Sequence, residues 1–202
     1  MSGAIEPMRG SIVLLTVSLL FAPTAAGQEA STKTCTLSHV LATRAKIQES
    51  SATFTQERHI HYVRDPLSSM GRLRFVAPNH LEMIVDKPQS ESFIYDDGVL
   101  TLETTGEQTE RQISVESDVM LSAIFAGLVG TLSGNETELK RAFFVEFVAD
   151  ACEWRMTLVP KSKRVLEKIQ EISLRGKDQH IEEAEILQAD GDRSLLTIRE
   201  QQ

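Results

Sequence analysis

The residues able to do chemistry are few and scattered. The five histidines are His39, His59, His61, His80 and His180. His59 and His61 stand two apart, which on a strand puts both imidazoles on one face, a spacing found in some metal sites. No third ligand accompanies them, and Cys35 and Cys152 lie far away along the chain. The pair therefore reads as structural or solvent-exposed, and no metal is expected. No serine sits in a Gly-x-Ser-x-Gly elbow. Asp96-Asp97-Gly98 places two carboxylates side by side, but an Asp-Gly step between two alternating runs is turn chemistry. Glu182-Glu183-Ala184-Glu185 has the character of a solvated strand edge or turn. Nucleophile, base and orienting group are not assembled anywhere, so the chain is not expected to be an enzyme. No strand followed by a glycine-rich loop and a helix occurs, and no cofactor is expected.

The elements carrying these residues are mostly strands. Leu37, Val40, Leu41 and Ile47 recur at helical spacing between Thr36 and Glu49, with Arg44, Lys46 and Gln48 on the other face. The period then changes to two. Alternating runs begin at Ala52, Arg72, Leu81, Ser92 and Val99, and a weaker one spans Gln108 to Val115. Asp97-Gly98 marks a hairpin between two of them. A second helix is expected from Ser117 to Val129, with Glu116 and Asp118 favourably placed at its N-terminal end and Gly130 as its stop. A short third helix follows from Glu136 to Arg141. Strands then return around Phe143, Trp154, Ile172, Ile181 and Leu195, with a parity slip between Ile181 and Ala184 that suits a bulge. Alternating strands joined by tight turns imply an antiparallel sheet with one apolar face, and the helices must cover that face.

The chain has an excess of apolar side chains on inward positions. The strands offer Phe54, Leu73, Phe75, Met83, Phe93, Leu100, Phe147, Trp154 and Met156, and the middle helix offers Met120, Ile124, Phe125 and Leu128. By residue type alone these build an ordinary core. A strongly curved sheet under few helices need not be filled, however, and the methionines would give an adaptable lining.

Composition bounds the setting. Ile12 to Ala22 is apolar apart from Thr16 and Ser18, follows Arg9 and leads into Ala25-Ala26-Gly27. This pattern is a secretory signal over residues 1–27, too short for a bilayer span of about 20 residues. Residues 28–202 then form a single domain, long enough to bury a core. The formal net charge of −8 disfavours nucleic acid, which is held through cations at phosphates. An oxidising compartment permits a disulfide between Cys35 and Cys152, provided that their Cα atoms approach closely enough.

Phe54-Thr55-Gln56-Glu57, Pro66-Leu67, Gly71-Arg72-Leu73-Arg74-Phe75, Pro78, Leu81 and Asp97-Gly98, in this order and spacing, resemble the outer-membrane lipoprotein carrier family, LolA, in its divergent LolA-related branch. The likeness continues through Trp154-Arg155-Met156-Thr157-Leu158-Val159-Pro160 and Gly191-Asp192-Arg193-Ser194. The resemblance implies an α+β fold, an incomplete antiparallel β-barrel whose helices cover the concave face, with acyl chains held between them. It implies a monomeric periplasmic carrier of a Gram-negative bacterium, whose cargo is a lipidated protein or an acyl lipid. An inner-membrane exporter would supply that cargo and an outer-membrane acceptor would receive it. The alternative of the same fold is a lipoprotein-sensing regulatory or scaffold module with no transport role. One position departs from the family: where its best-known members carry an arginine that ties the helical lid shut, this chain has Ala77. Arg72 and Arg74 are nearby and are expected to face outward.

Overall fold

A computed structural model describes residues 35–104 and 110–201; the secretory segment expected at 1–27 lies outside the described residues. Eleven strands form one antiparallel sheet: β1 (Glu49–His59), β2 (Leu67–Val76), β3 (His80–Lys87), β4 (Glu91–Asp96), β5 (Val99–Thr104), β6 (Glu110–Ser114), β7 (Phe143–Asp150), β8 (Glu153–Pro160), β9 (Ile169–Lys177), β10 (His180–Gln188) and β11 (Arg193–Glu200). The described helices are α1 (Leu37–Arg44), α2 (Val119–Leu132), α3 (Glu136–Ala142) and α4 (Lys163–Leu166).

The strand order is β6-β5-β4-β3-β2-β1-β11-β10-β9-β8-β7, so the chain runs out from β1 to one edge and returns from the other edge to β11. The first and last strands meet at the centre, where Phe54 faces Ile198 and Gln56 faces Leu196. The edges β6 and β7 do not pair with each other, and the expected unclosed α+β barrel is the fold observed. The parity slip in β10 is a register shift between Ile181 and Glu183.

Close backbone approach fixes two glycines. At Gly71, opposite Phe54, a Cβ would stand 1.9 Å from the Ile84 carbonyl oxygen. Gly134, with φ of +66°, turns the chain out of α2, and a Cβ there would stand 2.1 Å from the Leu41 carbonyl oxygen.

The helices differ from expectation in ways that packing explains. α1 ends at Arg44 rather than at Glu49, and Ile47 lies beyond it. Arg44, assigned to the outer face, is fully buried. α2 runs past Gly130, which is buried against Leu139 instead of ending the helix. Its start is capped by the Asp118 carboxylate, which accepts from the Met120 and Leu121 amides. α4 has no counterpart in the sequence reading. His59 closes β1 and His61 lies in the turn beyond it, so the two do not share a strand.

The core is unevenly distributed. Helices α1 to α4 pack on one another and on β7, β8 and β9. There Leu41, Leu139, Phe143, Met156, Leu158, Ile169, Ile172 and Leu174 are essentially sealed from solvent. Cys35 and Cys152 are joined in a disulfide with a Cα–Cα distance of 5.0 Å, which ties the approach to α1 to the β7–β8 turn. The opposite half of the sheet, β2 to β6, has its concave apolar residues mostly half-buried.

Candidate functional site

The incompletely covered half encloses a cavity of about 390 Å³. Small-molecule sites typically occupy about 300–1,000 Å³. One wall is the sheet: alternation along β2 brings Leu73 and Phe75 to the concave face, and the antiparallel register sets Leu73 opposite Met83 and Met83 opposite Phe93. Leu81, Leu100, Leu102 and Ile113 extend this wall toward the β6 edge, and Leu174, Ile181, Ala184, Ile186, Leu196 and Ile198 extend it across β9 to β11. The other wall is α2, whose Leu121, Ile124, Phe125, Leu128 and Leu132 share a helical stripe.

The helix is apolar over most of its circumference, and the two walls face each other without closing. Phe125 bridges them at one point. Its ring stacks on Tyr95 of β4, with centroids 4.3 Å apart and planes 13° off parallel. Burial pushes the Tyr95 hydroxyl above its ordinary pKa, with the neighbouring acidic groups Asp97, Asp96 and Glu116 adding to the effect.

Among the side chains singled out in the sequence, Leu73, Phe75, Met83, Phe93, Leu100, Ile124, Phe125 and Leu128 stand in the cavity wall. Phe54, Met120, Phe147, Trp154 and Met156 do not. Phe54 points to the concave side but is buried over Gly71, where the missing side chain leaves room for its ring. Met156 and Trp154 belong to the packed half; the Trp154 ring stacks on Phe147 at 6.1 Å and its Nε1 donates to the Asp178 carbonyl at 2.9 Å. Met120 packs at the margin of that same core. Strand parity identifies the inward face correctly in these cases, but it does not say which inward residues a helix will cover.

The wall has few polar members: Ser50, Gln56, Ser194 and Glu200. Sequence reasoning singled out none of them for the cavity, although Gln56 lies within the Phe54–Glu57 motif. Glu200 Oε1 accepts from Arg44 Nη1 at 3.1 Å, and its Oε2 lies 2.6 Å from His180 Nδ1. Arg44 Nη1 also donates to the Gln179 carbonyl at 3.1 Å. Burial lowers the guanidinium pKa from its ordinary value, against the attraction of Glu200. Gln56 Nε2 donates to Ser194 Oγ at 2.7 Å, and Ser69 Oγ donates to Gln56 Oε1 at 3.1 Å.

Arg72 and Arg74 face outward, paired with Asp86 and with Glu49 and Glu82. At the Ala77 position a methyl group cannot make a hydrogen bond to a helix. Among the described residues, the one grouping of ligand-type side chains is Cys35, Cys152 and Asp178, and its two sulfurs are bonded to each other. No described helix is long and apolar enough to cross a membrane.

No curated protein matches the chain. Among solved structures, a LolA superfamily protein from Nitrosomonas europaea is similar over 82% of this chain and 92% of its own, at 8% identity and a TM-score of 0.42. An outer membrane lipoprotein-sorting protein domain from Vibrio parahaemolyticus is similar over 82% and 91%, at 11% identity and a TM-score of 0.42. The Pseudomonas aeruginosa MucA/MucB complex is similar over 82% and 57%, at 9% identity and a TM-score of 0.43. A family model described as outer membrane lipoprotein carrier protein LolA-like matches residues 29–199, well over half of the chain, and the chain therefore belongs to that family.

Proposed function

We propose that the protein is a periplasmic carrier that shields the acyl chains of a lipid or lipidated protein between α2 and the sheet. In this reading it takes them from an inner-membrane exporter and delivers them to an outer-membrane acceptor, after export directed by residues 1–27. The observation that carries the reading is the hollow itself: two apolar walls face each other across about 390 Å³ that no side chain fills. Each methylene moved out of water is worth about 0.8 kcal/mol, so a long acyl chain crosses an aqueous space only when it is covered. Lining residues that stay half-exposed, among them Leu73, Met83 and Phe93, leave a cost that cargo removes. Helix α2 packs on α1, α3, α4 and β9, and in this reading it moves as a lid over the β2–β6 half.

The test is binding. Mass spectrometry of the purified protein is expected to find a co-purified acyl lipid, and a hydrophobic dye is expected to bind and be displaced by acyl chains. Phe125→Asp and Leu73→Asp place a charge in the cavity and are expected to abolish dye binding while the far-ultraviolet circular dichroism is retained. Binding that survives both substitutions would overturn the reading. A stable protein partner with no transfer of cargo between vesicles would favour the regulatory module instead.

A further inference from the structure

We propose that Gln56 and Ser194 form a carbonyl-binding subsite that orients the acyl chain, and that the linkage they accept is a neutral ester or amide. The proposal rests on the carrier reading and deepens it. The wall contains no lysine or arginine, and its one charged residue is Glu200, an acid. A carboxylate or phosphate inside the hollow would lack a counter-charge and meet a like charge. Glu200 is itself paired with Arg44 and His180.

The Gln56 amide has a defined orientation. Ser69 Oγ donates to its oxygen from the β2 side, and its nitrogen points toward β11. One amide hydrogen goes to Ser194 Oγ. A hydroxyl that accepts keeps its own proton, and among the described residues that proton has no acceptor. The second Gln56 Nε2 hydrogen is in the same position. Two donors thus lie together in a wall that is mostly apolar. Both groups are half-buried, so a ligand that covers them must match them. A carbonyl oxygen, with two lone pairs and no proton, is complementary to both.

Position then sets polarity. Along β1 the lining runs Ser50, Ala52, Gln56, and the next inward residue, Arg58, is exposed. Gln56 is therefore the last lining residue of β1, with Leu196 directly opposite on β11 and Ile198 beyond it. A carbonyl seated there directs its chain inward past Ala52 and Ile198 and its headgroup outward past Arg58.

The experiment uses the whole domain and two ligands of equal length, methyl hexadecanoate and hexadecyl methyl ether, each displacing a hydrophobic dye. The wild-type protein is expected to bind the ester about tenfold more tightly than the ether, the equivalent of one to two ordinary hydrogen bonds. Gln56→Leu combined with Ser194→Ala is expected to remove that preference, so that ester and ether bind alike. Ser194→Ala alone keeps the Ser69–Gln56 bond between β1 and β2 and is expected to reduce the preference about threefold, which guards against a double variant that fails to fold. Equal wild-type affinity for ester and ether, or parallel loss of both in Ser194→Ala, would overturn the subsite and leave the carrier reading intact. A wild-type protein that binds neither ligand would overturn both.

Discussion

Arg44 Nη1 lies 3.1 Å from Glu200 Oε1, and the arginine side chain has 0% of its surface open to solvent while its partner forms part of the cavity wall. The last residue of α1 is thereby fixed to the last residue of β11, at the seam where the sheet's first and last strands meet. Among the described residues, Arg44 Nε and Nη2 have no hydrogen-bond partner. The ion pair is thus poorly compensated, and the two single substitutions should differ. Glu200→Leu strands a buried guanidinium and is expected to cost about 3–5 kcal/mol. Arg44→Met fills the same space without charge and leaves Glu200 in contact with His180, so it is expected to cost clearly less. Urea unfolding of both variants measures the order, and the reverse order would mean that Arg44 is reached by water.

The Tyr95–Phe125 stack joins α2 to β4, in the outlying half of the sheet. Such pairs add about 0.5–1.5 kcal/mol beyond the area they bury. If α2 is a lid, removing the stack should release it locally. Tyr95→Ala is expected to speed amide exchange within Val119–Leu132 by up to about tenfold, with little change in β8 and β9. Faster exchange spread evenly over the domain would show that the stack is ordinary core.

Much of this architecture could be read from the chain, because strand periodicity and turn chemistry act locally. Asp97-Gly98 does close the β4–β5 hairpin, and the alternation around Leu73, Met83 and Phe93 does put all three on one face. What local pattern does not carry is which part of an apolar face receives a helix. Met83 and Met156 are equivalent by type and parity, yet one faces a hollow and the other is sealed, because the helices gather over β7 to β9. Arg44 misled for a related reason: a charge on an amphipathic helix is normally solvated, and its partner, Glu200, lies 156 residues away. Gln56 was visible as part of a motif, but its role depends on neighbours from two other strands.

The Cys35–Cys152 bridge closes a sequence separation of 117 residues. For a loop of that length, chain entropy in the unfolded state predicts a stabilisation of about 4–5 kcal/mol, and measured effects run about 2–5 kcal/mol. Changing both cysteines to serine is expected to lower the unfolding free energy by that amount. Adding reductant to the wild-type protein should produce the same fall and should leave the double variant unaffected. A variant as stable as the wild type would show that the bridge contributes nothing.

On the outer face, His80 Nε2 lies 2.7 Å from Glu82 Oε1 and its Nδ1 lies 3.5 Å from Asp96 Oδ1, while Arg74 Nη1 also reaches Glu82 at 3.1 Å. The hydrogen bond to Glu82 raises the His80 pKa above 6.5, and the same bond holds the Glu82 carboxyl below 4.5. The signs are opposite and define a window. The histidine's contribution is complete below pH 6.5 and is lost as pH rises through its folded value; the glutamate's is complete above pH 4.5 and is lost as pH falls through its folded value. The pair therefore stabilises most between pH 4.5 and 6.5. Because both side chains remain partly solvated, its size is expected to stay below about 1 kcal/mol. Urea unfolding at pH 5.5 and pH 8, values chosen to lie about inside and above that window, is expected to show the stability gap between wild type and His80→Gln shrinking at the higher pH. A gap that widens with pH would mean that His80 acts through its neutral form, as an acceptor rather than a cation.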